Sequence, residues 1–414
     1  MRLTLLALVG SLLTTGAAVA QSHDYAAVFD SLDQTVRANY YDPRFGGRDW
    51  SALSDRYRAR LKEVETEADF QRLGQGLLNE LGVSHVALRP PARTRGWMGI
   101  GARQETIDGR PVIVEIDPVS AARAAGLRPG DRILDPSAIR GPREEPARLE
   151  VERCDGALET LAVPRESAFW PPRQPAISWS VLGRGDGRSV GYIRADRFDD
   201  GAADLIDEAM TAARDTDGLV IDIRNNSGGN ASALRLLAYF AEPGPGIALL
   251  SREFLTSLDR PAGAADLEAV HRVERAYTDE AVFQAVTAGE GATMLMIEDI
   301  GELRYRNPVV ILTGPETASA AEGFAWGARE QTRAVIVGRD SAGALLSSDR
   351  FDLPGGWSVT LPVHGIWGPD GRDFGDQAIR PHVRTTWSRE GVCRNEDPDL
   401  AAGVAVLEDA WRAS

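Results

Sequence analysis

The segment 224–229, Arg-Asn-Asn-Ser-Gly-Gly, places two adjacent glycines between a predicted strand and a predicted helix. The apolar run that ends at Ile223 predicts the strand, and the helix is expected to open near Ala231. Backbone N–H groups of paired glycines at such a turn can point together at one oxygen, which is the arrangement that stabilises an oxyanion. The alternative is a tight turn that uses glycine only for its positive φ.

A second polar turn precedes a helix that is predicted to begin at Ser319, in the sequence PVVILTGPETASAAEGFAWGARE. A serine hydroxyl at a helix N-terminus lies near the positive ends of the backbone dipoles, and the N–H of Ala320 is not used by the helix. Ser319 is therefore a candidate nucleophile, and the Ala320 amide is a candidate oxyanion donor. Alternatively, Thr317 or Ser319 only caps the helix, with Glu322 completing a capping box.

A serine nucleophile needs a base, and the chain offers few candidates. They are His85 in LGVSHVAL, His271, His364, His382 and Lys62. Lys62 is the only lysine among the 46 basic residues, and its charged amphipathic surroundings are typical of a solvated side chain. A histidine beside apolar residues is often structural, so the motif around His85 leaves both roles open.

Three stretches of different periodicity must position these residues. From His23 to about Pro90, apolar residues recur at helical spacing and predict three or four helices. From Trp97 to about Arg165, short alternating strands predict a small β-rich unit. From Ile177 onward strands and helices alternate, which predicts an α/β fold with a largely parallel sheet. The acidic segment 259–291 is predicted to be a helical insertion.

Two proline-bearing connectors, RPPARTRG and FWPPRQP, separate these stretches. The predicted segments are a signal peptide at 1–20, an N-terminal helical domain at 21–91, a small β-rich domain at 95–166 and an α/β core domain at 175–414. The signal is predicted from one arginine, an uncharged apolar run and the triplet Ala18-Val19-Ala20. We therefore expect an exported protein, periplasmic or extracellular, whose mature chain starts at Gln21.

The composition is that of a globular chain of 414 residues, 43% hydrophobic and 26% charged, with a net charge of −15. It excludes the disordered, collagen-like and small disulfide-rich classes. An acidic surface repels nucleic acid and anionic membranes, and no later segment is long and apolar enough to anchor the protein in a bilayer. Scattered histidines without CxxC or HExxH predict neither a metal nor a cofactor. Cys154 and Cys393 could form a disulfide or remain two buried thiols.

Four motifs in this order resemble the tail-specific or C-terminal processing serine peptidases: LGVSHVAL, GLVIDIRNNSGG, PVVILTGPETASAAE and AVIVGRDSAG. TrpMetGlyIleGly at 97–101 and the later SAARAAGLRPGDRIL resemble a PDZ module. The resemblance covers nearly the whole mature chain and implies a Clp/crotonase-like α/β core that acts on peptide or protein substrates. The implied site residues are Ser319 as nucleophile, Gly228, Gly229 and Ala320 as oxyanion hole, and Gly99, Ile100 and Gly101 as a binding loop for substrate C-termini.

The family has two branches that differ in the base. In the commoner branch a lysine follows the nucleophile in a TxGKG-like turn, but here the corresponding segment 340–344 reads Asp-Ser-Ala-Gly-Ala. The branch that includes the tricorn core, and that resembles interphotoreceptor retinoid-binding protein modules, uses a Ser-His pair and a distal glutamate. Ser84 and His85 match that pair. The resemblance therefore implies a Ser–His mechanism rather than a Ser–Lys dyad.

The distal acid of this second branch is replaced by Gly375, which leaves Asp376 or Asp373 to orient His85 through Ser84, or no orienting acid. The sequence favours an exported serine endopeptidase with His85 as general base. A relative that binds a peptide or lipid in the same cleft without hydrolysis is the alternative. An acyl-CoA enzyme of the crotonase fold is disfavoured by the predicted export and by the PDZ-like unit. The oligomeric state is not predicted.

Overall fold

The computed structural model describes residues 24–91, 99–166, 175–183, 185–375 and 377–413. The predicted signal segment and Asp376 lie outside these residues. A helical block, a β-rich unit and an α/β region follow one another along the chain. They contain two six-stranded sheets and one five-stranded sheet. This arrangement confirms the predicted mixed α/β fold class.

The N-terminal block consists of three amphipathic helices and one strand. They are α1 (Tyr25–Asn39), α2 (Trp50–Arg58), α3 (Glu67–Asn79) and β1 (Ala87–Arg89). Asp24 caps the N-terminus of α1, and Thr66 forms a capping box with Asp69 at α3. The apolar faces of these helices turn inward, where Phe70 contacts the edge of Trp357 with ring centroids 4.8 Å apart. The block therefore packs on the rest of the chain through its apolar stripes.

The β-rich module, residues 99–166, has an apolar core of its own that includes Ile113, Leu149 and Val151. Its elements are β2 (Ala102–Ile107), β3 (Arg110–Ile116), α4 (Ala121–Ala124), β4 (Arg132–Ile133), β5 (Ala147–Glu152) and β6 (Leu158–Val163). The five strands pair in chain order as an antiparallel sheet. Ser120 caps the short helix α4.

The core contains the remaining strands and helices. Its strands are β7 (Ile177–Gly183), β8 (Ser189–Ala195), β9 (Gly218–Asp222), β10 (Gly244–Ser251), β11 (His271–Val273), β12 (Ala292–Ile297), β13 (Val309–Thr313), β14 (Val335–Gly338), β15 (Ser347–Asp352), β16 (Ser358–Trp367) and β17 (Val383–Arg384). Its helices are α5 (Ala202–Ala213), α6 (Ala233–Ala238), α7 (Arg252–Ser257), α8 (Ala264–Leu267), α9 (Asp279–Ala288), α10 (Ala320–Gln331), α11 (Arg389–Cys393) and α12 (Pro398–Ala413).

The first core sheet has the strand order β17-β14-β13-β9-β8-β7. All neighbours in it are parallel except the edge pair β7–β8, which is antiparallel. Every residue of β9 and β13 is buried, as expected of central strands covered on both faces. Because β9 and β13 are adjacent and parallel, the turns that follow them leave the sheet at the same edge.

The second core sheet joins the N-terminal block to the core. Its order is β1-β16-β10-β12-β11, with β15 also paired to β16, and β1 places Ala87 opposite Thr360. The segment 259–291 differs from the prediction because it is not wholly helical. Its residues 271–273 form β11 parallel to β12, since the open edge of β12 offers backbone groups that need partners.

The β-rich module is joined to the C-terminal segment by a disulfide between Cys154 and Cys393, whose Cα atoms are 5.9 Å apart. The sequence left this pairing open, and the fold decides it by bringing together residues that lie 239 positions apart. Arg389 adds hydrogen bonds to the carbonyls of Gly130 and Glu152. Among the residues described above, no helix is long and apolar enough to cross a membrane.

Candidate active site

The turn after β9 is organised around Asn226, which is fully buried. Its side-chain amide donates to the carbonyl of Ala195 at 3.0 Å, and its Oδ1 accepts the N–H of Gly228 at 2.8 Å. Its own N–H donates to the carbonyl of Ile223. These bonds fix the course of the chain from the end of β9 to the two glycines.

The two glycines of this turn have backbone conformations and close contacts that a residue with a side chain could not adopt without strain. Gly228 and Gly229 have φ values of +108° and +129°. A Cβ on Gly228 would lie 2.6 Å from the Cβ of Ser319, and a Cβ on Gly229 would lie 1.8 Å from the carbonyl oxygen of Phe198. The turn thus uses glycine for its positive φ, and it also needs glycine because its backbone passes close to Ser319 and Phe198. A tight turn and an oxyanion-binding turn are therefore compatible interpretations of this motif.

The backbone amides near Ser319 differ in their availability. The N–H of Gly228 donates to Oδ1 of Asn226 and is therefore already engaged. Within the described part of the chain, the N–H groups of Gly229 and Ala320 have no hydrogen-bond acceptor. These two amides are therefore available to bind an oxyanion.

Ser319 precedes the first residue of α10 with an uncommon backbone conformation, φ 53° and ψ −125°. Its N–H donates to Oε2 of Glu322 and to the carbonyl of Ala344, both at 3.0 Å. Among the described residues the Ser319 side chain makes no capping hydrogen bond. One half of the predicted capping box is present, because the Glu322 carboxylate accepts the Ser319 N–H. The other half is missing, because the Glu322 N–H donates to the Ser319 carbonyl rather than to the Ser319 hydroxyl.

Glu322, three residues into α10, is fully buried. Burial raises the pKa of its carboxyl group, while hydrogen bonds from Ser341, Ala344, Gly343 and Ser319 oppose that rise. The sequence suggested only a capping role for this side chain. Its wider contacts depend on the turn 341–344, whose position is set by the tertiary fold.

The turn before Ser319 and the glycine turn are bonded to each other. The N–H of Ala318 donates to the carbonyl of Asn226 at 3.0 Å, and the hydroxyl of Thr317 donates to the carbonyl of Ile223 at 2.9 Å. Thr317 is fully buried and also accepts the N–H of Gly314. The structure thus brings the two motifs, which are about ninety residues apart in the sequence, into one site.

His85 lies between α3 and β1 with a φ of +61°, an uncommon value for a residue with a side chain. Its Nδ1 is 3.0 Å from the hydroxyl oxygen of Ser84. The pairing of β1 with β16 carries this residue to the cleft, where it lines the same cavity as Ser319. The N-terminal block therefore supplies one wall of the candidate site.

The cavity shared by His85 and Ser319 has a volume of about 390 Å³. Gly229 and Ala320 also line it, so the candidate nucleophile, base and oxyanion donors face one space. Its remaining wall is mixed. The aliphatic part is formed by Ile247, Leu249, Leu295, Leu345, Leu346 and Ile366, and the polar part includes Ser227, Asn230, Asp279, Ser347 and Ser348. The aliphatic part can accept an apolar side chain.

The acid predicted to orient His85 is not found among the described side chains at this cavity. Gly375 has no carboxylate, and Asp376 lies outside the described residues. Asp373 lines a different cavity of about 320 Å³, together with Tyr41 and Trp367. Its Oδ1 accepts the N–H of Gly375 at 3.0 Å.

The other candidate bases lie elsewhere. His382 accepts the N–H of Ile336 through Nδ1, and burial together with Arg329 lowers its pKa. His364 lies within β16, where burial lowers its pKa although Asp349 opposes this. His271 is exposed on β11, and Lys62 is exposed in a short turn after α2. Among the described residues, no group of three or more metal-ligating side chains could hold a metal ion.

The predicted carboxylate-binding loop lies at the start of β2 in the module. Gly101 has a φ of +73°, and its carbonyl accepts the N–H of Asp117. The side chain of Ile100 is 1% exposed and belongs to the core of the module. Any ligand of this loop would therefore meet its backbone rather than the Ile100 side chain.

Sequence reasoning did not single out Asn226, Glu322 or Ser341 for a role at the site. The signal for Asn226 was an asparagine immediately before Ser-Gly-Gly, since Asn side chains often bond to the backbone two residues ahead. No local signal existed for Ser341, because its partners Glu322 and Ile379 come from distant segments.

Two family models match the chain. One described as peptidase family S41 matches residues 189–385, and one described as the tricorn protease C1 domain matches residues 22–79. Together they cover more than half of the 414 residues. The glycine turn and the Ser319 turn lie within the residues matched by the first model. The match to the second model ends a few residues before His85.

Curated relatives fall into two groups. The chain is 27% identical over 248 residues to a putative tricorn protease homolog 2 of Streptomyces coelicolor, and the match covers 51% of this chain but 21% of that protein. It is 25% identical to a chloroplastic C-terminal processing peptidase of Tetradesmus obliquus, with 89% of this chain and 80% of that protein covered. It is 26% identical to a carboxyl-terminal-processing protease of Synechocystis, with 90% and 84% covered.

Solved structures show the same fold. The photosystem II D1 C-terminal processing protease superposes with a TM-score of 0.55 at 19% identity, covering 90% of this chain and 97% of that one. Mature CPAF superposes with a TM-score of 0.62 at 15% identity, covering 92% and 96%. The tricorn protease superposes with a TM-score of 0.52 at 15% identity, covering 93% of this chain and 37% of that one.

Proposed function

The chain belongs to peptidase family S41 and is a serine peptidase, and from this premise we propose that Ser319 is its nucleophile and His85 its general base. The observation that carries this proposal is the state of the Ser319 hydroxyl. It lies at the start of α10, it is not used to cap that helix, and it faces the cavity that His85 also lines. A serine with these properties is available for attack on a bound peptide.

In the proposed reaction, the neutral imidazole of His85 takes the hydroxyl proton of Ser319 while the serine oxygen attacks the carbonyl carbon of a peptide bond. The carbonyl oxygen becomes an oxyanion, which the N–H groups of Gly229 and Ala320 stabilise. Protonated His85 then gives its proton to the leaving amine, and an acyl-serine remains. Water, deprotonated by the same histidine, releases the carboxylic acid and restores the serine.

Ser84 is proposed to orient the base. Its hydroxyl lies 3.0 Å from Nδ1 of His85, so a bond from the Nδ1 proton to Ser84 would leave Nε2 to accept the serine proton. Asp376 is the acid that we propose to act on Ser84, since Asp373 lines another cavity and Gly375 has no side chain. Asp376→Asn should then lower turnover less than loss of His85, because orientation contributes less than the proton transfer itself.

The proposed substrates are proteins or peptides, cleaved internally with an aliphatic side chain in the cavity beside Ser319. The cavity wall supports this preference, and the relatives named carboxyl-terminal-processing proteases support action near substrate C-termini. Backbone amides at Gly99–Gly101 are the proposed contact for a free carboxylate. The signal-like segment 1–20 supports the proposal that the enzyme acts outside the cytoplasm.

A second candidate function is ligand binding without hydrolysis in the same cavity. The observation that favours it is Gly375, which stands where the resemblance expects a glutamate. A cavity of about 390 Å³ with a partly aliphatic wall could hold a peptide side chain or a lipid without any chemistry at Ser319. The two candidates differ in whether Ser319 is activated.

A fluorophosphonate probe tests that difference, because only an activated serine reacts quickly with it. We expect stoichiometric labelling of the purified protein, with the adduct mapped by peptide mass spectrometry to Ser319. Ser227, Ser347 and Ser348 line the same cavity and serve as internal controls that should stay unmodified. Absence of labelling at Ser319, together with no cleavage of an unstructured protein substrate, would favour the binding function instead.

A further inference from the structure

The carboxylate of Glu322 joins two segments of the chain around Ser319. Its Oε2 accepts the N–H of Ser319 at 3.0 Å and the N–H of Ala344 at 2.7 Å. Its Oε1 accepts the N–H of Gly343 at 2.7 Å and the hydroxyl proton of Ser341. The start of α10 and the turn 341–344 are thus held by one side chain.

An ionised carboxylate can accept all four of these bonds. Each oxygen of Glu322 accepts two bonds, and all four partners are donors: three backbone amides and one hydroxyl. None of these partners is a cation, so the charge is balanced by oriented dipoles, including the N-terminus of α10. An amide in place of the carboxylate would turn an NH₂ group toward two donors that need an acceptor.

A third segment is attached through Ser341. Its hydroxyl donates to Glu322 and also accepts the N–H of Ile379 at 2.7 Å. The next residues of the same turn continue into the cleft, where Leu345 and Leu346 line the cavity of Ser319. The hydrogen bonds of Glu322 and Ser341 therefore fix both the backbone of Ser319 and the segment that leads to Leu345 and Leu346.

We propose that Glu322 is a positioning residue for catalysis, which holds both the backbone of Ser319 and the cleft wall that begins after Ala344. The φ of +53° at Ser319 is costly for a residue with a side chain and persists only where surrounding contacts hold it. Glu322 and the carbonyl of Ala344 supply those contacts at the Ser319 amide. This inference rests on the proposed role of Ser319 as nucleophile.

A purely structural capping role gives a different expectation. Loss of a helix cap lowers stability and leaves the chemistry of the folded enzyme unchanged. A positioning role lowers the rate of serine attack in the folded enzyme, because a displacement of about 1 Å can cost about 100-fold. Only the part of the cleft wall that follows Ala344 depends on Glu322, so KM should rise by less than kcat falls.

Glu322→Gln in the full chain is the direct test, because the two side chains have the same shape. We expect kcat and the fluorophosphonate labelling rate to fall by about 100-fold, with KM within about threefold of wild type. Ser341→Ala keeps the three backbone donors and should cost only about tenfold, since the carboxylate remains. Glu298→Gln is the matched control: Glu298 is 3% exposed and hydrogen-bonded to Arg235, Arg275 and Tyr277, and it does not line the Ser319 cavity.

Hydrogen exchange provides a readout that does not depend on activity. Glu322→Gln should deprotect the amides of Ser319, Gly343 and Ala344, whereas Glu298→Gln should not. A folded Glu322→Gln enzyme with wild-type kcat and labelling rate would overturn the inference. If Glu322→Gln does not fold, unchanged rates and exchange in Ser341→Ala would overturn it. Failure of wild-type labelling would count against the proposed function, while the exchange data would still test the role of Glu322.

Discussion

The N–H of Ala318 donates a hydrogen bond to the carbonyl oxygen of Asn226 over 3.0 Å. Ala318 immediately precedes Ser319, and Asn226 also holds the N–H of Gly228. The Ser319 turn and the glycine turn are therefore held together by a main-chain bond, and a buried asparagine side chain fixes the glycine turn. Preorganisation of this kind is what electrostatic catalysis requires, because the donors need not move during the reaction.

Replacing Ser319 or His85 by alanine should each lower kcat by about 10³-fold or more, with the double variant little worse, because the two residues act as one unit. Lys62→Ala should leave turnover near wild type, since Lys62 is exposed in a turn outside the cleft. Steady-state cleavage of an unstructured protein measures all four variants. Retention of most activity in a folded His85→Ala enzyme would exclude this histidine as the base.

Gly229→Ala should abolish activity and destabilise the protein strongly, because the new Cβ would lie 1.8 Å from the carbonyl oxygen of Phe198. Gly109→Ala is the matched control: Gly109 has a φ of +71°, and a Cβ added there would meet no atom within 4 Å. It should cost about 1 kcal/mol through backbone strain alone and keep full activity. Thermal unfolding and peptidase assays compare the two variants. Equal stability and activity in both would show that the close approach of Gly229 to Phe198 does not restrict the residue at this position.

His364 should make stability depend on pH below neutrality. Burial lowers the pKa of this imidazole in the folded protein, whereas the unfolded chain has an ordinary value of about 6.5. Between these two values the unfolded state binds more protons, so stability rises with pH through this window and is lost as pH falls. The contribution of one group is at most about 1.4 kcal/mol per pH unit.

Urea unfolding at pH 5.5 and 7.5 measures this effect. His364→Gln should reduce the difference in unfolding free energy between the two pH values. The exposed His271 serves as the control, and His271→Gln should leave the difference unchanged. The same pH dependence in wild type and His364→Gln would assign the effect to other groups.

Peptides with a free C-terminus should bind the Ser319→Ala protein more tightly than the same peptides with an amidated C-terminus. The reason is the proposed contact between a substrate carboxylate and the backbone amides around Gly99–Gly101, which an uncharged amide would engage less well. Calorimetry or fluorescence polarisation measures the two affinities. Equal affinities would remove the proposed carboxylate contact of this loop.

Removing the disulfide by Cys154→Ser with Cys393→Ser should lower the free energy of unfolding by about 2–5 kcal/mol, because the bond joins distant parts of the chain. Non-reducing peptide mapping should first find the two cysteine peptides linked in the wild-type protein. Arg389 retains its hydrogen bonds to the module in this variant, so the double variant should remain folded. An unchanged unfolding midpoint would show that the bond adds nothing to stability.

Much of the fold could be predicted from local patterns. Helical spacing between His23 and Pro90, alternating strands in the module and buried strands after Ile177 each reflect a periodicity of two or 3.6 residues, which the sequence displays directly. The insertion at 259–291 shows the limit of that approach. Its residues 271–273 form a strand because an open sheet edge lies beside them, and no local pattern encodes that neighbour.

For the candidate site as well, one part could be predicted from the sequence and another part depends on the tertiary structure. The residue types at Ser319, His85 and the two glycines pointed to serine chemistry, because hydroxyl, imidazole and side-chain-free backbone are what that chemistry needs. The tertiary structure decided which of these amides are engaged: Oδ1 of Asn226 accepts the Gly228 N–H, whereas the N–H groups of Gly229 and Ala320 have no acceptor among the described residues.

Tertiary structure alone also decided the disulfide and the network of Glu322. Cys154 and Cys393 carry no spacing that predicts their contact, and Ser341 reaches Glu322 only because the turn after β14 returns to the start of α10. Sequence periodicity determines the elements and the faces they bury. Contacts between distant segments depend on how the sheets order those elements in space, and that order follows from the packing of the whole chain.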